Sequence, residues 1–126
     1  MRVLDRLLWV DCTAGGLVGA ALLALSGPLS GLYALPRGVV VFVGAANLLY
    51  ATYSFSLARR DRRPMPLLLL LVAANLAWVP VSLGLAAAFW TSASVFGIGH
   101  LVGEAVFVGG LAALEWRHRE RLATAA

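Results

Sequence analysis

Four long apolar stretches follow one another along the chain, separated by short polar connections. They run over Leu7–Ser26, Gly38–Leu57, Leu67–Ala88 and Val95–Trp116 and hold 20 or 22 residues each, about the length that a helix needs to cross a bilayer. None has the alternation of a strand or the wide polar face of a helix on a soluble protein. The pattern predicts an all-α membrane protein, in which residues 1–126 form one domain: an antiparallel bundle of four transmembrane helices.

The connections between these spans are too short to hold another domain. The segment Gly27–Arg37 contains Pro28 and Pro36 and is predicted to be a turn-rich loop. The prolines of Ala58–Pro66 stop a helix just before the third span. Only six residues, Phe89–Ser94, join the last two spans, which makes those spans antiparallel neighbours.

Arginine placement predicts the orientation of the bundle. All ten basic residues are arginine, and Arg37 is the only one in an outer connection. The other nine fall on one side of the predicted spans, and they are Arg2, Arg6, Arg59, Arg60, Arg62, Arg63, Arg117, Arg119 and Arg121. The positive-inside rule makes that side cytoplasmic. We therefore expect a multi-pass protein of the bacterial plasma (inner) membrane with both termini in the cytoplasm.

A cleaved secretory signal is the alternative interpretation of the first span. Two arginines precede an apolar stretch that ends in Ala24, Leu25 and Ser26, as in a signal with a small-residue cleavage site. Asp11 interrupts that stretch early, which favours a retained helix. Cleavage would leave three spans and move the amino terminus outside.

The composition agrees with a lipid environment. Hydrophobic residues make up 61% of the chain and charged residues 13%, whereas soluble domains average about 45–50% and about 25%. The net charge of +4 would suit a nucleic acid, but arginines beside apolar spans act as topology signals. We expect the lipid bilayer as partner, with a homodimer or a larger membrane complex as further candidates, and no nucleic acid. The single cysteine, Cys12, excludes an intramolecular disulfide.

Five polar side chains inside the spans form the candidate site. A carboxylate at the centre of a bilayer costs about 2.5–3.5 kcal/mol, so Glu104, near the middle of the fourth span, is expected to face the interior. Asn47 and Asn75 lie at similar depth in the second and third spans, His100 lies one turn outward, and Asp11 lies nearer the cytoplasm. We expect a buried Glu104 within reach of at least one of the two asparagines.

Two function classes remain for this cluster. Histidine and carboxylates relay protons in membranes, which predicts a small dimeric proton- or cation-linked transporter or channel. Interhelical polar contacts can instead fix helix packing, which predicts a structural or accessory membrane subunit, and the sequence favours this second class. His100 and Glu104 make only half of a metal site, so neither a metal nor a cofactor is predicted, and no motif supports an enzyme. Glu115 is predicted to be a solvated helix end.

Small and aromatic residues carry two further predictions about packing. Trp78 lies at mid-depth in the third span, so its indole N–H needs a polar partner. Glycines four residues apart let helices approach closely within a bilayer, and the predicted spans contain two such pairs, Gly15 with Gly19 and Gly99 with Gly103. Packing inside the bundle is the favoured interpretation of both pairs, and a homodimer seam is the alternative.

Short motifs in the last three spans resemble those of a group of proteins. The segments Asn47–Tyr50, Asn75–Trp78, Gly103–Val108 and Leu114–Arg117 resemble uncharacterised small four-helix proteins of the bacterial inner membrane. The resemblance covers most of the chain. It implies the four-helix architecture and carries no activity, substrate or site residue with it.

Overall fold

The computed structural model describes residues 5–124, and every element of regular secondary structure in these residues is a helix. Its helices are α1 (Asp5–Ala24), α2 (Ser26–Tyr33), α3 (Arg37–Ala58), α4 (Met65–Ala88), α5 (Val95–Arg117) and α6 (Arg119–Thr124). Four of them, α1, α3, α4 and α5, are long and apolar enough to cross a membrane, which confirms four apolar helices whose ends lie within two residues of the predicted spans. Arg2, one of the arginines used for orientation, lies outside the described residues.

The prediction of a loop over residues 27–37 is wrong, because most of that segment forms the helix α2. Pro28 sits in the first turn of α2, where a missing N–H breaks no helical hydrogen bond. Ala34 then ends the helix in the left-handed conformation, with φ of 52°. Ser94 holds this end in place, since its N–H donates to the Tyr33 carbonyl at 2.8 Å and its hydroxyl donates to that of Leu32 at 2.6 Å.

Glycines of α1 and α3 allow these two helices to approach closely. A Cβ added at Gly19 would lie 2.8 Å from the carbonyl oxygen of Gly44, and one added at Gly15 would lie 3.1 Å from that of Asn47. Packing inside the protein is therefore confirmed for Gly15 and Gly19. It is wrong for Gly99 and Gly103, where an added Cβ would meet nothing within 4 Å, because both glycines line a cavity instead of contacting a neighbouring helix.

Two apolar clusters hold the helices together. The first centres on Leu22, Val40, Val43, Trp78 and Leu101, and the second on Leu8, Leu57, Leu68, Leu71 and Leu122. In the sequence of α1, α3 and α4, each polar residue of the candidate site lies between a residue of one apolar cluster and a residue of the other. Burial of apolar side chains on both sides thus encloses the polar groups.

Arg63 is buried, although its place in an arginine-rich connection predicted only a topology signal. Its side chain is 3% exposed. The guanidinium donates to the carbonyls of Leu57 at 2.7 Å, Ala58 at 3.2 Å and Leu122 at 2.8 Å. The first two carbonyls belong to the last turn of α3, where the carbonyls have no N–H partner four residues further along the helix; that of Leu57 also accepts from the N–H of Arg60 at 3.1 Å. Arg63 therefore ties the α3–α4 connection to α6.

Candidate functional site

Glu104 on α5 is the hub of the first polar cluster. Its Oε1 accepts hydrogen bonds from Asn47 Nδ2 at 2.8 Å and from the indole nitrogen of Trp78 at 2.7 Å. Its side chain is only 8% exposed. The expected burial of Glu104 beside an asparagine is confirmed, and so is the need of Trp78 for a polar partner. One carboxyl group thereby joins α3, α4 and α5.

His100 connects this hub to α2. Its Nε2 lies 2.8 Å from Oε2 of Glu104, one helical turn away, and its Nδ1 lies 3.1 Å from the Tyr33 hydroxyl. With a single proton on Nε2, the imidazole donates to Glu104 and accepts from Tyr33. When a second proton binds Nδ1, the direction of the Tyr33 bond reverses, because a hydroxyl can donate or accept. His100 can therefore gain and lose a proton without losing either partner.

Tyr33 was missed by the sequence analysis because it lies in the segment predicted to be a loop. The end of α2 and its bonds to Ser94 bring the Tyr33 ring to 5.3 Å from the His100 ring, measured between centroids. A tyrosine in the outer connection, where aromatic side chains favour the membrane interface, was its only signal in the sequence.

A second polar cluster consists of Asp11, Asn75 and Glu115. Asn75 Nδ2 donates to Oδ2 of Asp11 at 3.1 Å and to Oε1 of Glu115 at 2.9 Å. The two carboxyl groups also lie within hydrogen-bonding reach of each other. All three side chains are buried, with exposed fractions of 7%, 2% and 0%.

The prediction that Glu115 is a solvated helix end is wrong. The interval from Glu104 to Glu115 is eleven residues, or about three helical turns, so both side chains project from the same face of α5. That spacing was the signal in the sequence, and the nearby arginines concealed it. The predicted set of five residues is accordingly divided: Asn47, His100 and Glu104 are in one cluster, and Asp11 and Asn75 are in the other.

One cavity of about 370 Å³ touches both clusters. His100 and Glu104 line it together with Asn47, and Asp11 and Asn75 line it from the second cluster. Between these polar groups the wall is mainly apolar and aromatic, with Val18, Tyr50, Trp78, Phe107 and Leu111 among the lining residues. A largely apolar wall with a few convergent polar groups is typical of a ligand-binding pocket.

Chemically, the site offers proton carriers in different settings. The first cluster holds an imidazole and a carboxyl group whose oxygens are all partnered, whereas the second holds two carboxyl groups on one amide donor. Among residues 5–124, no group of three histidine, cysteine, aspartate or glutamate side chains is arranged to hold a metal ion. No protein family, curated protein or solved structure matches the chain, so its function has to be inferred from this geometry.

Proposed function

We propose that the protein is a small multi-pass membrane protein that transfers protons through its interior, alone or together with a small cation. The observation that carries the proposal is one cavity that touches both polar clusters, with Glu104 in its wall from the first and Asp11 from the second. A network that only fixed helix packing would be satisfied by hydrogen bonds alone and would need no cavity beside its carboxyl groups. The structural or accessory role is therefore the competing hypothesis.

Membrane insertion is supported by the outer surface of the helices. Large apolar side chains there are widely exposed, with exposed fractions of 69% for Leu17, 72% for Leu49, 79% for Val95 and 70% for Val106. Exposed apolar surface of this kind marks protein–protein or membrane contact surfaces. In a bilayer the same side chains would meet lipid tails, and the buried acids would be shielded from them.

An antiparallel bundle is supported by the order of the contacts. Residues later in α1 contact residues earlier in α3, since Gly15 faces Ala51 and Gly19 faces Gly44. The same holds for α4 and α5, where Asn75 bonds Glu115 and Trp78 bonds Glu104. The bond from Arg63 to Leu122 keeps the arginine-rich connection beside the carboxyl-terminal helix. By the positive-inside rule this end would face the cytoplasm of a bacterial cell, with both termini there.

In this proposal the first cluster accepts protons from the outer side. His100 binds a proton and passes it to Glu104, since histidine changes charge near neutral pH and a buried carboxylate can take its proton. Tyr33 orients the ring through Nδ1, and Asn47 and Trp78 hold the carboxyl group in place. The cavity then leads toward Asp11 and Asn75. Water that enters the cavity would complete the path between the two clusters.

The proposal is tested by proton flux in liposomes. The purified protein is reconstituted, a pH gradient is imposed, and an entrapped pH-sensitive dye reports its decay. We expect a decay at least ten times faster than in empty liposomes for the natural sequence, and a rate near that of empty liposomes for Glu104→Gln. Glutamine can still accept from Asn47 and Trp78, so the variant should fold. Asp61→Asn, in the exposed α3–α4 connection, is the matched control and should keep the full rate.

Two results would reject proton transfer. One is a folded protein of natural sequence that is no faster than empty liposomes. The other is a Glu104→Gln variant with the full rate, which would favour the structural role. Circular dichroism and gel filtration of each variant separate loss of function from loss of fold.

A further inference from the structure

The second cluster contains a buried oxygen with an unmet hydrogen-bond requirement. Oε1 of Glu115 accepts from Asn75, but Oε2 is buried and has no hydrogen-bond donor among residues 5–124. Glu115 is fully buried, and an unsatisfied polar atom costs about 1–3 kcal/mol, more if it is charged. Native structures rarely leave such a group without a partner.

A second carboxyl group lies beside this unsatisfied one. Asp11 and Glu115 lie against the same amide nitrogen of Asn75 and within hydrogen-bonding reach of each other. If both were ionised, two negative charges would be in contact in a buried site, and no arginine or histidine of the described chain forms an ion pair with either one. Like charges at this range disfavour double ionisation strongly.

The neighbouring polar groups described around this pair are an amide, a phenol and a thiol. Asn75 reaches the pair from α4 with an amide, and Tyr50 of α3 lines the adjoining cavity. Cys12, next to Asp11 on α1, donates its thiol to the Trp9 carbonyl instead. No third acidic, histidine or cysteine side chain of residues 5–124 completes a metal site. A proton on one carboxyl group removes the repulsion and supplies the donor that is missing between the pair.

We propose that Asp11 and Glu115 form a second proton-binding site, in which one proton lies between the Asp11 carboxylate and Oε2 of Glu115. In this state the pair carries a single negative charge. A proton that arrives through the cavity binds the remaining carboxylate and makes the pair neutral, and loss of either proton to the cytoplasmic side restores the single charge. The binding and release of the second proton rest on the proposed function. The single proton shared by Asp11 and Glu115 does not.

The site is tested by infrared spectroscopy of the purified protein in lipid nanodiscs at neutral pH. A protonated carboxyl group has a C=O stretch distinct from that of a carboxylate, and the band shifts when H₂O is replaced by D₂O. We expect this band in the natural sequence and its loss in Glu115→Gln, because the glutamine amide can donate to Asp11 in place of the proton. Asp11→Asn should remove the same band, because its amide can donate to Glu115. Asp61→Asn should keep the band, and so should Glu104→Gln.

Three outcomes would overturn the shared proton. The first is the absence of a protonated carboxyl band from the spectrum of the natural sequence at neutral pH. This measurement does not depend on the folding of any variant. The second is a band that survives both Glu115→Gln and Asp11→Asn. The third is a band that disappears when sodium chloride replaces choline chloride at constant pH, which would identify a sodium site instead. If the band behaves as expected while liposomes show no proton flux, the site stands and the transfer function fails.

Discussion

Replacing Gly19 by alanine should weaken the contact between α1 and α3. The new Cβ would lie 2.8 Å from the Gly44 carbonyl oxygen and 2.9 Å from the Leu48 backbone nitrogen. Ordinary contacts of a Cβ begin near 3.4 Å, so α1 has to retreat by more than half an ångström. Backbone atoms of a packed helix cannot rotate away as a side-chain tip can.

The cost follows from the contacts that this retreat loosens. A radial gap of about 0.5–1 Å loses a quarter to a half of each dispersion contact, and the loss extends to neighbours such as Gly15 and Leu22, which pack on the same face of α3. Overpacking of a tight interface typically costs about 1–3 kcal/mol. The higher helix propensity of alanine offsets little of this, because a span in lipid stays helical even when separated from its neighbours. We expect the free energy of unfolding to fall by about 1–3 kcal/mol.

The assay is reversible unfolding in mixed detergent micelles, followed by near-ultraviolet circular dichroism, which reports the packing of aromatic side chains, with Gly103→Ala as the matched control. Both variants add one methyl group to a glycine within a long helix, but at Gly103 the methyl group meets nothing within 4 Å. Stability should therefore change by less than about 0.5 kcal/mol for Gly103→Ala. Equal losses for the two variants, or no loss for Gly19→Ala, would refute the close α1–α3 contact.

Three further predictions concern the buried arginine, the tyrosine and the orientation. Arg63→Met should lower the free energy of unfolding by at least about 1.5–3 kcal/mol, which is the contribution of a single hydrogen bond with a charged donor. Arg62→Met, on an exposed neighbour, should have little effect in the same unfolding assay, and equal effects would contradict the role of Arg63. Tyr33→Phe should keep the fold and slow proton flux several-fold, since His100 loses its Nδ1 partner; an unchanged rate would remove Tyr33 from the path. A reporter fused after Ala126 should be active only in the cytoplasm, and activity outside would reverse the proposed orientation.

The long helices could be predicted because the information for them is local. An apolar run of about 20 residues forms a helix wherever water is scarce, since the backbone then has to bond within its own segment. The helix in the outer connection was harder to predict, because prolines and glycines are common both in loops and at helix ends. In α2, Pro28 falls in a first turn and Ala34 ends the helix, so the segment is helical despite its composition.

The candidate site was predicted in part. Depth along each span correctly paired Asn47 with Glu104, and helical spacing paired His100 with Glu104. Depth alone gave Asn75 the wrong neighbours, because a residue's height in a span does not fix the direction in which its side chain points. The rotation of α4 about its own axis turns Asn75 toward Asp11 and Glu115 and turns Trp78 toward Glu104.

The sequence by itself determined four apolar helices, their limits and the residues able to carry a proton, because each of these depends on hydropathy and spacing within one segment. Only the tertiary structure decided which acids meet. It brought Tyr33 to His100, buried Glu115 beside Asp11, and turned Arg63 inward to the carbonyls of α3 and α6. Each of these contacts joins residues far apart in the chain or depends on the rotation of a helix, and helix rotation is set by the fit of many side chains at once.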